Sequence, residues 1–172
     1  GTALDNLASW RMVTPDAERT MQTHLGISQN VSEAELRLET AAQAKFVYIE
    51  GYLVTSDSAR HAAIKLKAFA ERSGVKTALT FSDPAMVEYF RDGINEVIGG
   101  GVDLLFCNEN EARIWSGEQE LDKAVEKMRT IAKQFAITRG AEGALLFDGS
   151  EFIEIAPHKV SAVDTNGAGD MF

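Results

Sequence analysis

The chain has 172 residues, 45% of them hydrophobic, which is enough for one well-packed domain. Acidic residues outnumber basic ones by 26 to 17, for a formal net charge of −9, and no Lys/Arg cluster tracks a phosphate backbone, so nucleic acid is excluded as an expected partner. No apolar run is long enough to span a bilayer and the first residues lack the plan of a signal peptide, so a soluble cytoplasmic protein is expected.

In chain order, "WRMVTPDAERTMQTHLG" reads as two short strands around Thr14-Pro15-Asp16, a hairpin rather than a strand–helix–strand unit. "SEAELRLETAAQA" follows, with Ser32 and Glu35 at the spacing of a capping box. From about residue 45 onward strand and helix alternate. "KFVYIEG" is a buried strand ending at Glu50-Gly51. "SARHAAIKLKAFAERSG" then sets Ala59, Ala62, Ala63, Leu66 and Ala70 at helical spacing, with Gly74 as its stop. "VKTALTFSDP" is the next strand, and Pro84 suits the first position of another short helix.

"VDLLFCNENE" repeats the strand-to-helix switch, and its lone Cys107 excludes internal disulfides and CxxC metal sites. Leu121, Ala124, Val125, Met128, Ile131 and Ala132 make the clearest amphipathic stripe in the sequence. "QFAITRG" is a strand, and "GALLFDGSEFIEIA" is a hairpin turning at Asp148-Gly149. "HKVSAV" leads into the closing "DTNGAGDMF". Strands alternating with helices imply right-handed crossovers and a mainly parallel sheet, hence an α/β fold.

Open sheets of this kind bind ligands beyond the carboxyl ends of their strands. The polar residues at those ends are Glu50-Gly51, Ser82-Asp83, Cys107-Asn108, Thr138-Arg139-Gly140 and Asp164-Thr165, all expected on one rim. Gly167-Ala168-Gly169 adds successive backbone N–H groups with little side-chain bulk. A helix starting near Asp170 would put those donors at the positive end of its dipole, suited to a phosphoryl group gaining charge in transit. Asp170 beside that cradle is placed to take a proton from an attacking hydroxyl. A bare GxGD, by itself, more often marks a tight turn with a capping aspartate.

The full string "DTNGAGD" resembles the C-terminal signature of the ribokinase-like (PfkB) family of carbohydrate and nucleoside kinases. The resemblance implies that Asp170 is the catalytic base and that the Gly167, Ala168 and Gly169 amides form the anion hole. "CNENEA" is similar to the family's Asn-x-x-Glu motif, which puts Asn108 on the ATP side and Glu111 on magnesium through water. On spacing alone, that pair is ordinary on a solvated helix face. "ITRGAEGALL" resembles the nucleotide-binding segment, with Thr138, Gly140 and Gly143 facing ATP. "EGYL" and "FSDP" look like the strand ends that face the acceptor and the phosphates.

"TPDAERTMQTHLG" is similar to the segment of adenosine-kinase-like members that returns from the lid into the core. Arg19 there suits the transferred phosphate or the acceptor, while an exposed arginine on an edge strand is the competing reading. His24, His61 and His158 match nothing in the family mechanism and are read as structural.

What the resemblance implies is a three-layer, ribokinase-like α/β fold, its mainly parallel sheet flanked by helices. Residues 1–27 would be a partial lid-return hairpin, and residues 28–172 a core incomplete at both ends. The implied activity is ATP-dependent phosphotransfer to an alcohol group of a sugar or nucleoside, adenosine first. ATP and Mg2+ would take part, with a monovalent cation near Asp164, a small-molecule acceptor as partner, and room for a homodimer. A non-catalytic nucleotide- or metabolite-binding module on the same fold is the alternative. A Rossmann-type NAD enzyme is disfavoured, since no G-x-G-x-x-G follows the strands. The family continues beyond both ends, so the chain is expected to be a fragment, inactive by itself.

Overall fold

The computed structural model describes residues 8–13, 19–24, 26–159 and Gly169. Ala8–Val13 (β1) and Arg19–His24 (β2) pair antiparallel, Ala8 opposite His24 and Val13 opposite Arg19. They form the expected hairpin, a two-stranded sheet of its own.

The capping box at Ser32 is present: the Glu35 carboxylate accepts from Ser32 N at 2.7 Å, and Ser32 Oγ accepts from Ala34 N at 3.2 Å. It heads only a 3₁₀ turn, Glu33–Glu35, and helix resumes for a single turn at Leu38–Ala41 (α1). Leu36 between them is extended, with ψ 124°, so the two turns cannot merge.

The main sheet has six strands in sequence order. These are β3 (Phe46–Glu50), β4 (Lys76–Thr80), β5 (Val102–Asn108), β6 (Ala132–Thr138), β7 (Ala144–Phe147) and β8 (Phe152–Ile155). β3 to β6 run parallel, and β7 and β8 add antiparallel. Between the parallel strands stand α2 (Asp57–Arg72), α3 (Pro84–Tyr89), α4 (Arg91–Ile98), α5 (Glu109–Ser116) and α6 (Leu121–Met128). Each parallel strand is laid beside the last in the same direction, so right-handed crossovers bring all these helices to one face.

That face carries Ile49, Leu79, Leu105, Phe135 and Ile137, each no more than 2% exposed. They pack with Ala63, Val87, Ile94, Val97 and Met128 of the helices in one core. The other face carries Tyr48, Phe106, Leu146 and Ile153, and it is the more open one, with Tyr48 53% and Ile153 43% exposed.

Helix α2 buries Ala59, Ala62, Ala63 and Ala70 as its spacing predicts. Leu66 is only partly buried, and Lys67 takes the covered position instead. A lysine can do this because its alkyl stem packs while its ammonium reaches Glu71 one turn on, at 2.5 Å. Gly74, at φ 73°, ends the helix in the left-handed region. Pro84 opens α3 behind an Asp83 cap whose carboxylate accepts from Ala85 N at 2.8 Å.

The stripe from Leu121 to Ala132 is not one helix. α6 stops at Met128, Ile131 lies in the turn, and Ala132 is the first residue of β6. Thr130 N and Ile131 N bond to carbonyls three residues back, at Lys127 and Met128, which tightens the last turn and releases the chain. The apolar period persists across the break because helix and strand bury into the same core.

The β7–β8 loop is an Asx turn: Asp148 Oδ1 accepts from Ser150 N and Glu151 N, each at 2.8 Å. Among the described residues no helix is long and apolar enough to cross a membrane.

Candidate active site

Parallel pairing puts the carboxyl ends of four strands on one rim. Glu50 stands opposite Thr80, Thr80 opposite Phe106, and Asn108 opposite Thr138. The rim is therefore built by register, and its polar residues come from segments far apart in the chain.

β5 passes into α5 without a loop, through Asn108 as N-cap. Asn108 Oδ1 accepts from Glu111 N and the Glu111 carboxylate accepts from Asn108 N, both at 2.8 Å. Asn-x-x-Glu is thus a reciprocal capping box that stiffens the first turn of the helix. It does not lie on a solvated face, because Glu111 is 4% exposed. Burial pushes the Glu111 carboxyl up to about 7; the Asn108 N–H works against this and the negative charge of Asp83 adds to it. Cys107, just before the cap, is buried and free, and its thiol is pushed well above the usual range by burial and by Glu111. It stays a neutral thiol.

Ser82 follows β4 at φ 70°, the one non-glycine residue with positive φ among those described. Ser82 Oγ donates to Glu50 at 3.1 Å, and Ser82 N donates to Thr80 Oγ1 at 3.2 Å, so the conformation is held from both sides. A Cβ on Gly51 would stand 2.6 Å from Phe81 O, which is why the chain leaving β3 can cross the end of β4 only as glycine.

After β6 the chain makes a 3₁₀ turn, Gly140–Glu142, and returns into β7. Arg139 N donates to Gly143 O at 2.8 Å, closing the loop. Gly143, at φ 88°, lies so close to β8 that a Cβ would meet Ile155 O at 1.9 Å. Gly140, in contrast, opens onto free space.

Of the residues singled out from sequence, Asn108, Glu111, Thr138, Gly140 and Gly143 are assembled where β5 and β6 end side by side. Arg19 is the first residue of β2, opposite Val13. Gly169 is an exposed turn residue. Asp164, Gly167, Ala168 and Asp170 lie outside the described residues, as does the side chain of Arg19. His61 and His158 are exposed.

The sequence puts Asp83 and Arg139 on the rim, but it does not set Asp83 beside Glu111, and it does not bring together Glu109 and Arg139. These two directly follow the paired residues Asn108 and Thr138, so the strand register alone would have found them.

Among the described residues, no group of three His, Cys, Asp or Glu is placed to hold a metal ion by itself. The buried Glu111 carboxylate with Asp83 acting on it is nevertheless a pair that a hydrated divalent cation would relieve. That donor set fits magnesium held through water.

A cavity of about 460 Å³ lies at the opposite, amino-end rim, lined by residues that include Thr77, Asp103, Arg129 and Lys133. Its carboxylates and Lys133 and Arg129 have ionic partners: Lys133 pairs with Asp103, Glu71 with Lys67, and Arg129 with Glu126 while covering the Phe147 ring; Lys76 lies over the Phe46 ring.

The family model for pfkB family carbohydrate kinases matches residues 5–172. An adenosine kinase of Schizophyllum commune is 31% identical over 179 residues, across 91% of this chain and 48% of its own length. The crystal structure of adenosine kinase from Sinorhizobium meliloti superposes with a TM-score of 0.90 at 32% identity, covering 96% of this chain and 51% of that one. A probable sugar kinase from Rhizobium etli CFN 42 gives 0.89 at 30% identity, over 95% of this chain and 50% of that one. The chain spans about half the length of the curated relatives it matches.

Proposed function

The chain belongs to the pfkB family of carbohydrate kinases, and on that premise we propose that it is the core of an ATP-dependent kinase acting on an alcohol group of a sugar or nucleoside. The observation that carries the reading is the junction of β5 and β6. There Asn108 and Thr138 stand opposite each other at the strand ends, with a buried carboxylate one helical turn behind.

In this reading Asn108, Thr138, Gly140 and Gly143 receive the nucleotide. Glu111, with Asp83, would hold Mg2+ through water. When bound, the cation offsets charge on the phosphate oxygens. Asp170 takes the proton of the acceptor hydroxyl, and the amides of Gly167, Ala168 and Gly169 meet the phosphoryl group as its charge grows. Arg19 is assigned to the transferred phosphate or the acceptor, and Asp164 to the acceptor side and a monovalent cation. The β1–β2 hairpin would be the return from a lid over the core.

The acceptor is assigned as a nucleoside, adenosine first. Two relatives at 31% and 32% identity are named adenosine kinases, which supports that order. A coupled ADP assay over a panel of nucleosides and free sugars tests it, run on the longest form of the protein that can be expressed. Rapid turnover of a free hexose with none of adenosine would refute the nucleoside assignment and leave the family intact.

The role of Asp170 has its own test. Asp170→Asn keeps the shape of the side chain but removes its basicity, so turnover should fall about a thousandfold while ATP affinity holds. Near-normal kcat in that variant would remove Asp170 from the mechanism. ATP binding without turnover in the unsubstituted protein would favour a binding module on the same fold.

A further inference from the structure

Glu109 and Arg139 are the first residues beyond the paired ends of β5 and β6. One begins α5 and the other leads into the Gly140–Glu142 turn. Their side chains meet, Arg139 Nε to Glu109 at 3.4 Å, and both are largely shielded, at 23% and 27% exposed. The pair is the centre of a chain of four charges of alternating sign. Arg113, one turn along α5, donates to the other oxygen of Glu109. Arg139 Nη2 donates to Glu142 at 2.8 Å. Two of the three guanidinium nitrogens therefore face carboxylates on two different elements.

We infer that Arg139 is a positioning residue for the nucleotide: its fork ties the Gly140–Gly143 loop to the capped start of α5, so that the two segments face ATP as one unit. The inference rests on the kinase reading above. On its far side the loop is fixed by Gly143 against Ile155, and among the described residues the side-chain bonds that link residues 140–142 to α5 run through Arg139. The loop's internal bonds, Gly143 N to Gly140 O and Arg139 N to Gly143 O, fix its shape and not its place. Arginine suits the task where lysine does not. A planar fork reaches two carboxylates at set angles, whereas an ammonium is a single point. The charge matters as well. The four side chains sum to zero, and loss of Arg139 leaves a net negative charge where a triphosphate must approach.

The test compares Arg139→Gln, Arg139→Lys, Glu109→Gln and the double variant Glu109→Gln/Arg139→Gln in the longest expressible form of the protein. Mg–ATP binding is measured directly, beside kcat, both KM values and thermal melting. Arg139→Gln should raise the Kd and KM for ATP about tenfold, with kcat and the acceptor KM within about twofold. Arg139→Lys, which restores charge without the fork, should recover only part of the affinity. The double variant should be no worse than Arg139→Gln alone, since both break one tie.

Unchanged ATP affinity in Arg139→Gln overturns the inference. Full recovery by lysine overturns the fork and leaves a simple charge effect. Equal losses for ATP and acceptor together with a lowered melting point would mean a structural role only. Additive losses in the double variant would mean that Glu109 and Arg139 act separately. An unsubstituted protein that binds no ATP overturns the kinase reading itself, and the inference falls with it. ATP binding that survives in all variants leaves the reading standing and removes only the tie.

Discussion

The two ends of strand β5 each present a carboxylate, and the protein treats them in opposite ways. At the amino end, Asp103 accepts from Thr77 N at 2.8 Å and from Lys133 Nζ at 2.7 Å. Burial would push its carboxyl up, but the bonds to Lys133 and Thr77 outweigh that and hold it below the usual range. Past the carboxyl end, Glu111 is more deeply buried, has one backbone N–H, and has a second carboxylate acting on it instead of a cation. The amino-end rim answers its charge, and the carboxyl-end rim keeps one unanswered. Natural chains break local rules of this kind mostly at functional sites, so the contrast between the two rims is itself an argument about which one works.

Backbone crowding differs sharply between particular glycines of the two rims. Gly51 and Gly143, at the carboxyl ends, have no room for a Cβ, while Gly100, at the amino ends, has nothing within 4 Å of one. The largest expected effect follows from this. Gly143→Ala should cost about 4 kcal/mol or more, or prevent folding, because strain at φ 88° adds to a clash with the backbone of β8. Gly100→Ala should stay within about 0.5 kcal/mol in either direction. Denaturant midpoints of the two variants check the comparison. Equal costs would break the claim that the backbone is packed more tightly at Gly143 than at Gly100.

The second effect is a pH slope. The folded Glu111 carboxyl sits near 7 and the unfolded one near 4.5, so between these values the native state holds more of the proton. Stability from this group is fully present below about pH 4.5 and is lost as the pH rises through 7. The change should amount to about 3 kcal/mol. Glu111→Gln keeps an oxygen for the Asn108 N–H and cannot ionise, so it should flatten the slope and be the more stable form at pH 8. Urea titrations from pH 4 to pH 8 read this directly. A slope that survives in Glu111→Gln would show that the unanswered charge lies elsewhere.

Much of the frame was legible from the chain. The alternation of strand and helix, the Pro84 start, the Gly74 stop and the hairpin at Asp148-Gly149 are local signals, and each stands where its chemistry put it. The stripe ending at Ala132 misled because hydrophobic period reports burial, and a helix, a turn and a strand here bury into the same core. Lys67 was unreadable for a related reason: its stem is covered only because Glu71 is there to take its charge.

The candidate site divides in the same way. The capping box of Asn108 and Glu111 is visible in four letters, but the burial of Glu111 and its neighbour Asp83 depends on β4 and α3 arriving beside β5. Glu109 and Arg139 are thirty residues apart and meet only through register. The role given to Asp170 rests on family resemblance, and its place lies outside the described residues.

The smallest effect belongs to the rim that answers its charge. Asp103→Asn should cost about 1 kcal/mol, because an amide oxygen still accepts from Thr77 N but the charge-assisted part of that bond is lost. Little of the cost should come from Lys133, whose side chain is 79% exposed and whose ion pair is screened by solvent. The sign of the pH dependence is opposite to that of Glu111. Asp103 is held low, so its contribution is present above its unfolded value of 3.8 and is lost as the pH falls through its lower folded value. Lys133 is held high by the same pair, so its contribution fades only as the pH rises past the usual lysine range. The cost of Asp103→Asn should therefore be level from about pH 5 to about pH 9, across most of the range from 4.5 to about 7 in which Glu111 supplies its slope, and should shrink as the pH falls through the lowered value of Asp103. ATP affinity should not change, since Asp103 stands at the far end of β5 from Asn108. A cost that varied between pH 5 and pH 7, or a weakened affinity for ATP, would mean that the two rims are coupled through the strand and that the division between an answering rim and a working rim is wrong.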